Sequence, residues 1–233
     1  MIPLHDDVPT RRLAVVTLAI ILVNVAVFAF QLLLPRWGLT LDAWYYLVGA
    51  RPYELTHQMD LPPFGYFPWW ATLVSSLFVH GGWLHVIFNM LYLWIFGNNV
   101  EDAMTRPRFV AFYLICGMVA TTTQVLVAPN SDVPLIGASG AIAGVLGAYI
   151  VLFPRARVIT VVPLGFFFPV FEVPAWVLLG VWFALQAVEG LLSFRHPAVG
   201  VAFFAHVGGF VAGMGLAYLF VRRRPARRAR RRA

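Results

Sequence analysis

Apolar segments recur along the whole of this chain, and they limit its fold more than any motif does. Residues 13–34, 83–98, 109–128, 139–153, 174–194 and 201–221 are each dominated by aliphatic and aromatic side chains. A helix needs about 20 such residues to cross a hydrocarbon core roughly 30 Å thick. Composition agrees, since 61% of the residues are hydrophobic and 12% charged, against about a quarter charged in a soluble domain. A secretory signal peptide would be followed by a polar mature domain, whereas here apolar segments continue to residue 221. The first is therefore read as a retained span. The expected fold is an all-α polytopic membrane protein, a bundle of six spans over residues 13–221. It lies between an N-terminal segment, residues 1–12, and a tail, residues 222–233.

Residues 35–68 have a different character. Trp37, Trp44, Tyr45 and Tyr46 lie there among prolines and scattered charges, with Trp69 and Trp70 just beyond. Such aromatics favour the membrane–water interface. The stretch is too long for a plain connector, so it reads as a long, partly embedded first loop with short interfacial helices. Pro129-Asn130-Ser131-Asp132 reads as a turn, and residues 163–173 as a Pro- and Phe-rich loop.

All 17 basic residues are arginine, and the net charge is +7. An Arg cluster in the tail, Arg222 to Arg232, could mark nucleic-acid binding. Directly after an apolar helix it reads instead as a cytoplasmic flank near anionic lipid. The bilayer, not nucleic acid, is the expected partner. Arg11 and Arg12, Arg106 and Arg108, Arg155 and Arg157, and the tail fall on one side of a six-span arrangement. Arg36, Arg51 and Arg195 fall on the other, near Asp42, Glu54, Asp60 and Asp132. Positive residues concentrate inside, so both termini are expected in the cytoplasm, with Ser139, His80 and His85 toward the outer face. The absence of Lys points to a base-composition bias that fits a prokaryote, and so to a bacterial inner membrane. The single Cys116 allows no disulfide within the chain.

The fourth segment is short. Residues 139–153 make a helix of about 22 Å at 1.5 Å per residue, less than the roughly 30 Å core. Ser139 should then sit below the outer edge, under a water pocket, since irregular backbone at that depth must line a cavity or be buried in protein. Ionisable and polar groups inside spans are rare and mark sites. His85 and Asn89 are four apart and share one helix face. His80 precedes Gly81-Gly82, and His206 stands in Ala205-His206-Val207-Gly208-Gly209. Gly140-xxx-Gly144 and Gly209-xxx-Gly213 would let two helices approach closely and bring Ser139 to His206. A serine hydroxyl is a poor nucleophile until a base takes its proton. Donors for an oxyanion are also needed; the Ser139 N–H, Asn89 and His85 are candidates. Asp132, Glu172 and Glu189 are not adjacent to His206 in sequence, so a Ser–His dyad is the simpler reading.

Other readings compete with this one. Ser139 alone would be a packing residue and Asn89 interhelical glue. Three histidines could hold zinc, although His80 and His85, five apart, pair poorly on one helix, and no nearby carboxylate would serve as base. A transporter with a midplane polar site would also explain histidine and asparagine within spans.

Three separated stretches taken together carry a resemblance. His80-Gly81-Gly82-Trp83-Leu84-His85-Val86-Ile87-Phe88-Asn89, Gly137-Ala138-Ser139-Gly140 and Ala205-His206-Val207-Gly208-Gly209-xxx-Gly213 closely resemble the rhomboid family of intramembrane serine proteases. The resemblance implies that Ser139 is the nucleophile and His206 the general base. It implies that His85 and Asn89 stabilise the oxyanion, helped by the loop N–H groups of Gly137 and Ala138. His80 and Gly140 would be structural residues near the site, and Phe88 would face a lateral substrate gate. The implied substrates are single-span membrane proteins cut within or near the span, and no metal or organic cofactor is implied. Two positions depart from the pattern. Trp69-Trp70-Ala71-Thr72 lacks the Trp-Arg pair that some members carry in the first loop, and Ala143 stands where some have a Tyr stacked on the base. Relatives without catalysis typically lack the Ser or the His, and both are present here.

Overall fold

The structure is a computed structural model, and it describes residues 1–62, 67–163, 165–194 and 201–221. Arg195 and the tail, residues 222–233, lie outside the described residues, so their assignment to one side or the other is not addressed by it.

Each of the six apolar stretches contains helix. Helix α1 (Val15–Gln31) leads into a 3-10 turn, Leu34–Trp37, closed by Gly38 at φ 81°. Two short helices follow in the first loop. In α2 (Leu41–Val48), the Thr40 hydroxyl caps the N-terminus by accepting from Ala43 N at 3.1 Å. Helix α3 (Pro52–His57) opens on a proline, whose fixed φ suits a first helical position. A tight approach segment, Trp69–Phe78, contains α4 (Thr72–Ser75) and meets the next helix at 81°. That next helix runs unbroken through α5 (Trp83–Tyr92), a π turn (Leu93–Gly97) and α6 (Asn98–Ala103). The rest of the bundle is α7 (Arg106–Val127), α8 (Ser139–Leu152), α9 (Ala175–Ser193) and α10 (Phe203–Phe220). By length and apolarity α7, α9 and α10 are each able to cross a membrane, and the bent unit Trp69–Phe78 with Trp83–Ala103 adds a fourth candidate. Helices α1 and α8 are apolar but shorter.

Helix α8 is the hub. Every residue from Gly140 to Tyr149 is buried. A helix apolar on all sides belongs in the centre of a bundle, and α8 packs against both α10 and α7. The close approach expected from the glycine spacing is present. A Cβ on Gly209 would collide with the Gly140 carbonyl oxygen, and one on Gly213 with that of Gly144. Backbone therefore rests on backbone where these helices cross, and no residue larger than glycine fits without separating them.

The all-α expectation needs correction, because the chain is mostly helical but also carries a three-stranded antiparallel sheet in the order β1-β2-β3. Strand β1 (Ile2–Asp6) lies in the N-terminal segment; β2 (Arg157–Val161) and β3 (Val170–Pro174) lie between α8 and α9. Val158, Ile159, Thr160 and Val161 are β-branched, which favours a pleated strand over a helix. Five-residue strands fall below the length that periodicity reveals.

The sheet and several loops gather at one end. Asp6 on β1 is buried and accepts hydrogen bonds from Tyr149 Oη and Asn99 Nδ2. Glu101 is also buried and caps α1, accepting from Val16 N at 3.0 Å, Thr17 N at 2.7 Å and Thr17 Oγ1 at 2.8 Å. Met104 pairs with Val221 in an isolated bridge. Arg11, Arg12, Arg106, Arg108, Arg155 and Arg157 belong to these segments.

Candidate active site

At the other end the first loop is fastened to the loop that precedes α8. Ala50 and Leu135 exchange backbone hydrogen bonds at 3.0 and 2.8 Å, and Tyr53 N donates to Ser131 O at 3.0 Å. Arg51 is buried; it donates to Glu54 at 2.8 Å and pairs with Asp132. Its guanidinium also lies 5.2 Å from the centre of the Tyr46 ring. The first loop thus has an arginine anchor, although Trp69-Trp70-Ala71-Thr72 holds none. Asp132, in the loop before Ser139, is paired with Arg51, and Glu172, on β3, with Arg157.

This fastening delivers Gly137 to a specific place. Its N–H donates to Ser76 O at 2.9 Å, and its φ is +120°. A Cβ there would lie 2.7 Å from His85 Nε2 and 3.6 Å from Ser139 Oγ. Glycine is required on both counts, and the same distances show how close His85 comes to Ser139. Ala138 is fully buried and is the N-cap of α8, so Ser139 takes the first helical position. The first N–H groups of a helix have no intrahelical acceptor, which leaves the Ser139 N–H free to donate.

His206, near the start of α10, has its Nε2 2.8 Å from Ser139 Oγ. Its Nδ1 lies 2.6 Å from Gln186 Oε1, on α9. An amide oxygen only accepts, so Nδ1 carries the ring proton and Nε2 presents a lone pair to the serine hydroxyl. Trp182, one turn before Gln186, packs against the imidazole at a centroid distance of 5.9 Å and also against Phe210. Gly140, the residue after the nucleophile candidate, has no room for a Cβ because Ala120 of α7 lies against it.

His85 Nδ1 accepts from Gly81 N at 3.2 Å. That contact places the remaining proton on Nε2, facing Gly137 and Ser139. Asn89 lies one turn on and is buried; its amide donates to His85 O at 2.9 Å and keeps a second N–H. His80 packs edge-on against His85 at 5.0 Å. Its backbone is gripped by Gln31 of α1, through Gln31 Nε2 to His80 O at 2.8 Å and His80 N to Gln31 Oε1 at 3.2 Å. Ser139, His85 and His206 are each half-buried, so the group is accessible from outside. Phe88 is 40% exposed on α5.

The motifs single out Ser139, His206, His85, Asn89 and His80, which the structure brings together. They do not single out Gln186, Trp182 or Gln31. A signal for two of these exists in the chain, because Gln31 and Gln186 are polar residues inside apolar stretches.

A helical membrane protein with a hydrogen-bonded Ser–His pair, beside a ring of N–H donors, has the parts that acyl transfer requires. Comparison with known proteins is specific. The family model described as Rhomboid domain matches residues 68–223, and the chain belongs to the rhomboid family, whose members include intramembrane serine proteases. It is 28% identical over 197 residues to Rhomboid-like protein 11, chloroplastic, of Arabidopsis thaliana, covering 82% of this chain and 64% of that one. It is 31% identical over 154 residues to Rhomboid protein 1, mitochondrial, of Saccharomyces cerevisiae, covering 61% and 40%. It is 27% identical over 225 residues to Rhomboid protease AarA of Providencia stuartii, covering 88% and 73%. The chain thus covers less than two thirds of the length of the chloroplastic and yeast relatives.

Proposed function

We propose that this protein is an intramembrane serine endopeptidase that cleaves single-span membrane proteins within or near the span, using Ser139 as nucleophile and His206 as base. The observation that carries the proposal is the 2.8 Å contact between His206 Nε2 and Ser139 Oγ. It is supported by membership of a protease family.

The scissile segment must first unwind, since a helical peptide bond is hydrogen-bonded and shielded. Substrate enters sideways from lipid, between the second and fifth spans, where the family pattern gives Phe88 its gate role. Ser139 Oγ attacks the carbonyl carbon as its proton passes to His206 Nε2. The carbonyl oxygen gains negative charge and meets the Ser139 N–H, the Ala138 loop, His85 Nε2–H and the second N–H of Asn89. The tetrahedral intermediate collapses as Nε2 protonates the departing amine, leaving an acyl ester on Ser139. Water then gives a proton to Nε2 and attacks the ester, and the new carboxyl fragment leaves as Ser139 recovers its proton.

In the bilayer, six spans with both termini cytoplasmic fit the arginine pattern. The residues bearing Arg11, Arg12, Arg106, Arg108 and Arg157 collect at one end of the fold, away from Ser139. The site then opens to the outer face of what the Lys-free composition points to as a bacterial inner membrane. The test is cleavage of a model single-span substrate by purified protein, with labelling by a fluorophosphonate serine reagent. Ser139→Ala and His206→Ala should each abolish cleavage, and Ser139→Ala should abolish labelling. Full activity in folded Ser139→Ala protein would end the proposal.

A further inference from the structure

We infer that Gln186 is the positioning residue of the dyad, a neutral stand-in for the carboxylate that orients the base in soluble serine hydrolases. The inference rests on the catalytic reading of Ser139 and His206. Gln186 Oε1 lies 2.6 Å from His206 Nδ1, on the ring edge opposite Ser139. A hydrogen bond there selects the one neutral tautomer whose Nε2 is able to accept the serine proton. Trp182 comes from the same face of α9, one turn earlier, and limits rotation of the ring. The two residues together hold both the tautomer and the plane of the base. Ala143, at the position where some relatives carry a stacking tyrosine, is too small to do so.

The surroundings explain why an amide occupies this place. The titratable groups around His206 are few. On the α5 side stands His85, beside Gly137 and Ser139. Helix α9 also carries Glu189, which is exposed. Helix α7 presents Cys116 at Gly144, deeper than Ser139 along α8, with Tyr113 beyond it; α8 has Tyr149 near its far end. No carboxylate bonds to His206 among the described residues. An ionised side chain at membrane depth is costly, whereas an amide oxygen offers the same acceptor without a charge to desolvate. The exchange has a consequence: the imidazolium formed during attack receives only dipole stabilisation from behind. Of the three long helices, α9 is the least enclosed, with 22% of its apolar window buried against 39% for α7 and 28% for α10. The base is therefore aligned by a peripheral helix, and a shift of α9 carries the acceptor away from His206.

The experiment uses the purified full chain in detergent, with a single-span substrate whose kcat and KM are measured across pH. Gln186→Ala should lower kcat about tenfold, the scale of one hydrogen bond, with KM changed less than about twofold. Gln186→Glu restores an acceptor and adds a charge that favours the imidazolium. The acid limb of its kcat/KM profile should move to higher pH by about one unit or more. A residue that only packs would move no pH limb. A Gln186→Ala kcat within about twofold of wild type, or a Gln186→Glu limb that stays in place, overturns the inference. Should Gln186→Ala fail to fold, the pH limb of the folded Glu variant decides alone. Cleavage that survives Ser139→Ala overturns the catalytic reading and this inference together. Strict dependence on Ser139 and His206, with Gln186 variants matching wild type, overturns this inference alone.

Discussion

Replacing Gly137 with alanine should disable the site while sparing the Ser139–His206 pair. Two costs can be read from the structure. At φ +120° a Cβ is strained by about 1–3 kcal/mol. The added carbon would also lie 2.7 Å from His85 Nε2 and 2.8 Å from His85 Cε1, where ordinary contact begins at 3.4 Å. His85 has little room to retreat, since its Nδ1 is tied to Gly81 N and its ring packs against His80. Either the imidazole withdraws or the loop rotates, and the loop carries the Ser139 N–H with it. One oxyanion donor is lost in both cases. Such a loss costs about 10²–10³ in kcat, while stability should fall by only the strain of about 1–3 kcal/mol. The α8–α10 contact is untouched, so His206 should keep its place beside Ser139. The assay is single-span substrate cleavage with kcat and KM separated, alongside the thermal midpoint and the rate of fluorophosphonate labelling. Labelling should slow with cleavage, because the phosphonyl oxygen needs the same donors. A Gly137→Ala enzyme cleaving within about threefold of wild type would refute the assignment of His85 and the loop to the oxyanion.

Three other perturbations probe different parts of the structure. Asn89→Ala should lower kcat by about 10²–10³, as expected for a single oxyanion donor; a loss below about twofold would reduce Asn89 to packing. Gly213→Ala places a carbon against the backbone of Gly144, which no side-chain rotation relieves, so the thermal midpoint and cleavage should fall together, with about 1–3 kcal/mol of stability lost. Gly215→Ala, which meets nothing within 4 Å, is the matched control, and equal stability of the two variants would count against helix contact as the cause. Burial holds the Asp6 carboxyl above its ordinary range, although the Tyr149 hydroxyl bond pulls the other way. A raised folded-state value means that the protonated form favours folding. That contribution is complete below about pH 3.9, the unfolded value, and is lost as pH rises through the folded one. Asp6→Asn should remove this dependence, so a wild type whose stability shows no fall over that interval relative to the variant contradicts the sign.

What could be read from the chain before folding was whatever leaves a periodic or compositional trace. Apolar length marked the helices, and the structure moves their ends by a few residues, as with the expected span 83–98, which continues to Ala103. Glycine spacing located the α8–α10 crossing, because small residues at every fourth position let two backbones meet. His85 and Asn89 stood out because polar groups in an apolar run are costly and therefore conspicuous. The sheet left no such trace. Its strands are five residues each, and β1 finds β2 across about 150 residues of chain, a pairing that no local pattern encodes.

Gln186 presents a subtler case, since it is as conspicuous in α9 as Asn89 is in α5. Nothing within α9, however, assigns it a partner. His206 lies 20 residues away, on a different helix, and the link depends on how α9 and α10 rotate about their axes. A search for an acid behind the base passes over it, because Glu172 and Glu189 are the carboxylates that the eye finds in that region. The membrane changes the expectation: where charge is expensive, the acceptor behind a histidine is better sought among amides. The same reasoning accounts for Gln31, whose amide bonds both the N–H and the carbonyl of His80 from inside α1. Two glutamines in apolar helices, Gln31 buried and Gln186 half-buried, thus hold the two histidine-bearing segments that flank Ser139, and neither introduces a charge.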